Sequence, residues 1–359
     1  MGTRNKPTLS QVAELAGVSI SAASMILNNR PDVTFAKETA QRVAAAAEQL
    51  GYESKSTRPS SRPLGAQTVL VFAPNATSPY YATLLQSIDQ AAHARGYDTL
   101  IYNTYRDADY ERRMLETIAR CGVAGVIFTM RPTGIALVEQ ISRTIPVVVI
   151  ADRDQAVNVD TVETSNFTAG ALLAEHLIQL GHRNIGFLST TLNNSNTART
   201  KRLDGIRDAF SRLCPQGSVR VFSRNISPQQ ELESVLLEHS VGYALCREAL
   251  AYPALTAMVG VNDMVAYGIL DALLDADKRI PDDYSVAGFD NNFPSALLPV
   301  SLTSVEHCIE DKGHNAFDIL YRKLCRSGSE DINCITRVEY RQHLVKRNST
   351  AAPQIFSTK

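Results

Sequence analysis

The sequence predicts a small all-α helix-turn-helix headpiece followed by a larger α/β body of two doubly wound, parallel-sheet lobes. Three observations carry that expectation. Two short, capped helical patterns joined through Gly17 open the chain. A stretch rich in Ser, Pro and Arg over 53–67 then interrupts all periodicity. From residue 68 onward, continuous apolar runs alternate with helical stretches, and the alternation restarts after residue 165. The domains expected are therefore a headpiece over 1–52, a linker over 53–67, a two-lobed body over 68–350 and a tail over 351–359.

In the headpiece, "TLSQVAELAGVS" carries a start signal: Thr8 as cap, with Gln11 three residues on completing a capping box. Val12, Leu15 and Ala16 form the expected apolar face, and Gly17 ends the helix where a left-handed residue is cheap. Ser19 caps a second helix, in which Ala23, Ile26 and Leu27 line the buried stripe. Ser21, Ser24, Met25 and Asn28 then point outward, so this outer face bears no charge. A third helix, "KETAQRVAAAAEQLGY", places Val43, Ala46, Ala47 and Leu50 on one side and stops at Gly51.

The body begins with "TVLVFAP" as a strand, "SPYYATLLQSIDQAAHARG" as a helix and "DTLIYNT" as a strand; "AGVIFTM" and "IPVVVIADR" continue the series. The second run contains "NFTAGALLAEHLIQLG", "NIGFLST", "LTAMVGVND" and "YSVAGFDN". Parallel sheets covered on both faces bind ligands at the carboxyl ends of their strands, which puts a crevice between the lobes.

Composition narrows the function classes. The net charge of −1 hides an asymmetry, because residues 1–64 carry eight Lys/Arg against five Asp/Glu. A mildly basic arm on an acidic body is compatible with nucleic-acid contact. The six cysteines form no CxxC pairs and read as thiols of a reducing compartment. The polar start "MGTRNKPTLSQ" and the shortness of the apolar runs point to a cytoplasmic protein with no membrane partner. No GxSxG, HExxH, GxxxxGK[ST] or GxGxxG occurs, so neither an enzyme nor a cofactor is expected. The seven histidines are dispersed, and His307–Cys308 reads as a structural pair rather than a metal site.

The dense pattern "TLSQVAELAGVSISAASMILNN…ETAQRVAAAAEQLGY" resembles the DNA-binding headpiece of the LacI/GalR family of transcriptional regulators. "HLIQLGHRNIGFLS", "RLDGI", "VNDMVAYG", "RIPDDYSVAGFDN" and "LTSVEH" extend the resemblance to that family's effector-binding body, itself similar to periplasmic sugar-binding proteins. The resemblance implies a homodimeric repressor that binds pseudo-palindromic operator DNA under the control of a small, sugar-like effector.

Residue by residue, it places groove-facing roles on Ile20, Ser21, Ser24, Met25 and Asn28, and phosphate contacts on Thr8, Leu9 and Ser19. Most relatives carry arginine where Met25 stands; a methionine favours a thymine methyl over a bidentate grip on guanine. In the linker the usual hinge-helix leucine position falls on Ser61, whereas the nearest leucine is Leu64, and Pro59 and Pro63 oppose a regular helix. Lys55, Arg58 and Arg62 read equally as phosphate contacts or as a solvated linker.

Facing the effector, the resemblance sets Tyr80, Tyr81, Asp152, Arg202, Asn262 and Asp263. Carboxylates would accept from hydroxyls, Arg202 would donate in a fork, and the tyrosines would stack on a ring. The same residues have plainer readings: Asp263 as a helix cap, Arg202 as a surface arginine, the tyrosines as lobe packing. Asn196 and Ala198 stand where purine-sensing relatives offer Arg and Thr, which opposes a purine. The alternative function is a solute-binding protein without operator-specific regulation.

Overall fold

The computed structural model describes residues 7–27, 35–50, 65, 67–118, 122–153, 157–193, 197–227, 229–230, 234–297, 299–325 and 334–354. They fall into two compact units, Met1–Leu64 and Gly65–Lys359. Asn28, Asn196 and the linker residues 53–64 and 66 lie outside the described residues, and with them the readings placed on Lys55, Arg58, Ser61, Arg62 and Leu64.

In the first unit α1 (Leu9–Ala16) and α2 (Ile20–Leu27) cross at 102°, and α3 (Lys37–Leu50) packs against both. The Thr8 capping box is complete: its hydroxyl accepts from Gln11 N while Thr8 N donates to Gln11 Oε1 at 2.8 Å. Gly17 takes φ 64°, ψ 41°, and the Ser19 hydroxyl caps α2 by accepting from Ala22 N at 3.1 Å. The core is Val12, Ala13, Ala16, Ala23, Val43, Ala46 and Ala47, with Ile26, Leu27 and Leu50 packed on its edge. One expectation changes: Leu15 is 50% exposed and Ala13 takes its place in the core. With partners on two sides, the buried stripe of α1 centres on Val12, Ala13 and Ala16 rather than on the 12–15–16 face.

The second unit holds two six-stranded sheets. The first comprises β1 (Thr68–Ala73), β2 (Asp98–Asn103), β3 (Gly125–Phe128), β4 (Val147–Asp152), β5 (Asp160–Thr164) and β11 (Arg337–Glu339), in the order β11-β5-β4-β3-β1-β2 and all parallel. The second comprises β6 (Asn184–Ser189), β7 (Ser218–Ser223), β8 (Ala257–Gly260), β9 (Ser285–Asp290), β10 (Thr303–Glu306) and β12 (His343–Val345), in the order β12-β10-β9-β8-β6-β7. Only β12 runs antiparallel, against β10. Within each sheet the five consecutive strands follow the 2-1-3-4-5 order of doubly wound folds, whose switch point lies beside the first strand.

The lobes are not simply consecutive. The chain crosses at the restart after β5, crosses back after β10 to lay α12 (Ile309–Cys325) on α4 (Pro79–His93) and β3–β5, and crosses once more between β11 and β12. Two cores result: one centres on Val69, Val71, Ile127, Val148 and Phe317, the other on Phe187, Ile206, Met258, Ile269 and Phe289. Ala351–Gln354 belongs to the second lobe: His182 on its loop bonds Thr256 Oγ1 (2.8 Å), Ala351 O (2.9 Å) and Ser285 Oγ (3.1 Å). Among the described residues no single helix is long and apolar enough to cross a membrane.

Candidate functional site: the inter-lobe cleft and the headpiece face

A polar cleft opens at the carboxyl ends of both sheets, where the doubly wound order predicts a ligand. The first lobe contributes the segment after β1 with Tyr80 and Tyr81, the loop after β3 with Arg131, Asp152 at the end of β4, and Lys312 on α12. The second lobe contributes α8 (Thr197–Leu213) with Arg202, α9 (Leu237–Ala249) with Glu238, and Asn262, Asp290 and His307 after β8, β9 and β10.

Arg202 is the hub, and the packing of α8 on α7 (Asn166–Leu180) explains its aim. A Cβ on Gly205 would sit 1.9 Å from Phe167 O, and one on Gly170 2.0 Å from Arg202 O. Only glycines let the two helix backbones touch, which gives the "RLDG" motif its physical content: the glycine, one turn on from Arg202, presses the arginine toward the start of α7. There Nε donates to Asn166 Oδ1 (2.9 Å), Nη1 to Val261 O (2.6 Å) and Nη2 to Asp290 Oδ1 (3.3 Å), with His307 Nε2 3.4 Å away. The guanidinium carbon also lies 4.9 Å from the Phe289 ring centroid. The expected fork toward a ligand is therefore largely spent on protein acceptors, because five N–H donors are all an arginine has.

Asp152, at a strand end, accepts from Asn166 N (3.0 Å) and Asn166 Nδ2 (2.7 Å). A continuous polar relay thus runs from Asp152 in the first lobe through Asn166 and Arg202 to Asp290 in the second. Tyr80 and Tyr81 meet edge-on with ring centroids 5.0 Å apart, and Tyr81 Oη lies 3.5 Å from Arg106 Nη2.

Asn262 and Asp263 part company. Asn262 lines the cleft and caps α10 (Asp263–Leu274), its Oδ1 accepting from Val265 N (3.0 Å) while Nδ2 donates to Glu238 Oε2 (2.7 Å). Asp263 does not face the cleft: it is 0% exposed and accepts from Asn292 N (2.8 Å), Ser295 Oγ (2.7 Å) and Ser304 Oγ (2.6 Å). Successive residues at a helix start diverge, so the second acid of the N–D pair points into the body, into space that Gly288 leaves open. The cap is Asn262, not Asp263.

Asp290, His307, Glu238, Asn166 and Lys312 are among the cleft groups that escaped the sequence reading. Asp290 ends β9 as Asp152 ends β4, a parallel that the run "GFDN" carried. Its backbone adopts φ 109°, a conformation that costs a non-glycine residue about 1–3 kcal/mol and that turns its carboxylate to Arg202. Burial pushes Asp290 up to about 6 despite that arginine. His307 is buried beside Arg202 and Lys312, and desolvation with those two cations holds it well below the usual imidazole range. It is therefore neutral and able to accept from Arg202. Glu238 was missed because its partner Arg199 (2.9 Å) lies on another helix. Asn166 gave no signal beyond its place at a helix start. Lys312 did carry one: it sits on the apolar stripe of α12, with Ile309, Ala316 and Leu320, where a charge is unexpected.

On the headpiece, Ile20 (53% exposed) and Ser21 stand at the open start of α2, and Ser24 and Met25 one turn on are half-buried. Thr8 and Ser19 are exposed caps. The Leu9 side chain packs on the core, which leaves its backbone N–H, at the first turn of α1, as the group able to meet an anion.

Two family models match the chain: "Bacterial regulatory proteins, lacI family" over residues 8–55 and "Periplasmic binding proteins and sugar binding domain of LacI family" over residues 66–344. It is 28% identical over 346 residues to the HTH-type transcriptional repressor PurR of Haemophilus influenzae (strain PittEE), covering 95% of this chain and 98% of that one. It is 26% identical to the ribose operon repressor of Escherichia coli (strain K12), over 88% of this chain and 93% of the relative. Among solved structures, a LacI-family transcriptional regulator from Silicibacter pomeroyi superposes with TM-score 0.69 at 25% identity, covering 96% of this chain and 99% of that one. Fold, both matched segments and full-length relatives agree, and the chain belongs to the LacI family of bacterial regulatory proteins.

Proposed function

We propose that this protein is a homodimeric repressor whose affinity for a pseudo-palindromic operator is set by a small hydroxylated, sugar-like molecule bound between the lobes. The relay Asp152–Asn166–Arg202–Asp290 carries the reading, because it joins both lobes through groups that a ligand can compete for. A molecule that exchanges hydrogen bonds with it has different affinities for the open and closed lobes, and that difference is what shifts a population. Tyr80, Tyr81, Asp152, Arg202 and Asn262 contact the effector, joined by Asp290 and Glu238; Asp263 braces the wall behind them.

Residues 1–52 form the reading domain and 53–67 the linker; 68–350 form the effector and dimerisation domain, to which Ala351–Gln354 of the expected tail also belong. In the headpiece, Thr8, Ser19 and the Leu9 amide position the phosphates, while Ile20, Ser21, Ser24, Met25 and Asn28 face the major groove. Two headpieces related by a twofold cover the two half-sites. The protein acts on DNA in the cytoplasm, without a cofactor. Family membership and the uncharged outer face of α2 support this reading.

A gel-shift titration of the full chain on its own promoter tests it. Sequence-selective binding that weakens with salt is expected. Equal affinity for promoter and scrambled DNA contradicts it and favours a plain solute-binding protein.

A further inference from the structure

We propose that the effector is an anion: a small hydroxylated molecule whose phosphate or carboxylate group seats against Lys312. The inference rests on the cleft reading above and names the chemical class that the cleft takes. Lys312 lines the cleft yet is only 1% exposed. Its ammonium donates to Tyr80 Oη at 2.9 Å and lies 5.1 Å from the same ring's centroid, and it forms no ion pair with any described residue. Three N–H donors stand on that nitrogen, and a buried ammonium with no carboxylate in direct contact is costly, Asp290 attracting it only through space.

The carboxylates nearby are already engaged. Asp290 is held by Arg202 at 3.3 Å, and Glu238 is shared between Arg199 (2.9 Å) and Asn262 (2.7 Å). Asp152 takes both N–H groups of Asn166. His307 at the inner wall is neutral, and burial keeps the Tyr80 and Tyr81 hydroxyls protonated. The inner cleft is thus cationic, and Arg106 and the exposed Arg131 add to the lining farther out. Basic groups outnumber acidic ones five to three among the lining residues, and low-dielectric walls focus that excess on an entering ligand. A neutral sugar would leave Lys312 as it stands. An anion supplies the missing charge, while the tyrosine pair and the carboxylates suit a hydroxylated frame.

The test measures melting temperature and calorimetric affinity of the full chain, at pH 7, with matched probes. Ribose 5-phosphate, glucose 6-phosphate and gluconate are set against ribose, glucose and glucitol. At least one anionic probe should raise the melting temperature where its neutral parent does not. Lys312→Met should weaken that probe about tenfold or more, and Lys312→Arg should recover part of the loss. Burial, with Arg202 beside it, lowers the Lys312 ammonium to about 8 against the opposing pull of Asp290, Cys308 and Tyr81, so the same affinity should decline as the pH is raised through that value. The ligand-free Lys312→Met protein should melt no lower than wild type, since it no longer buries a charge, so a folding defect will not mask the result. Binding of a neutral parent as tight as its anionic partner, and insensitive to Lys312→Met, overturns the anion assignment and leaves the cleft reading intact. Anion binding that survives Lys312→Met also overturns it. Failure of every probe to bind overturns both.

Discussion

Helix α2 and the cleft differ in the polar groups they present. On α2 the outer face is free of charge, its hydroxyls are small, and Ile20 stands open to solvent. In the cleft nearly every polar group is already held by another, and Arg202 alone meets Asn166, Val261 and Asp290. The face of α2 proposed to meet DNA carries no charge of its own. A switch needs stored alternatives, and a relay whose hydrogen bonds are satisfied among themselves binds a ligand by exchanging them, while Lys312 keeps donors to spare. The contrast can be broken at either end.

The largest effect is expected at the hub. Arg202→Ala strands Asp290 and opens the relay, so it should cost about 3–5 kcal/mol of stability in urea or guanidinium unfolding. A cost below about 1 kcal/mol would show that the hub is not a buried ion-pair centre. Next comes acid. Burial holds His182 down near 4, against about 6.5 for a free imidazole. The unfolded chain therefore takes up a proton that the folded chain refuses. Stability from this group is complete above about pH 6.5 and is lost as the pH falls toward 4, by about 3 kcal/mol. The difference in unfolding stability between wild type and His182→Gln, measured across pH 4–7, should show that slope, because Asp290 and His307 titrate in both.

At the headpiece, Met25→Arg should move preference toward guanine at one position per half-site, by roughly 1–3 kcal/mol in competition binding. An unchanged preference would remove Met25 from the reading surface. The smallest effect is Thr8→Ala, which loses the capping box and should destabilise the first unit by about 1 kcal/mol in hydrogen exchange. The cleft's ligand affinity should not follow it.

Legibility in the sequence followed the range of the interactions. The headpiece was readable because caps and stripes are local: Thr8–Gln11, Gly17 and Ser19 each act within four residues. Leu15 was misread because two partners, rather than one, decide which face of α1 is buried. The two sheets followed from alternating apolar runs, whereas the return of α12 and β11 to the first lobe left no periodic signal. The cleft was half readable. Tyr80, Tyr81, Asp152, Arg202 and Asn262 line it, but Asp263 lies behind it. Asp290 depends on a partner 88 residues away within its own lobe, and Lys312 on one 232 residues away that only the return of α12 to the first lobe brings near.

Control of operator affinity through the Asp152–Asn166–Arg202–Asp290 relay is what the proposed function requires. Fluorescence anisotropy of a labelled operator, titrated with the full chain with and without the ligand that raises its melting temperature, tests this most directly. Wild type should show at least a tenfold change in operator affinity on ligand addition, about 1.4 kcal/mol of coupling. Asp290→Asn, which keeps the shape of the side chain but removes its charge from Arg202, should reduce that change below about twofold. A full wild-type response in Asp290→Asn, or operator affinity in wild type that ignores a bound ligand, would contradict the account.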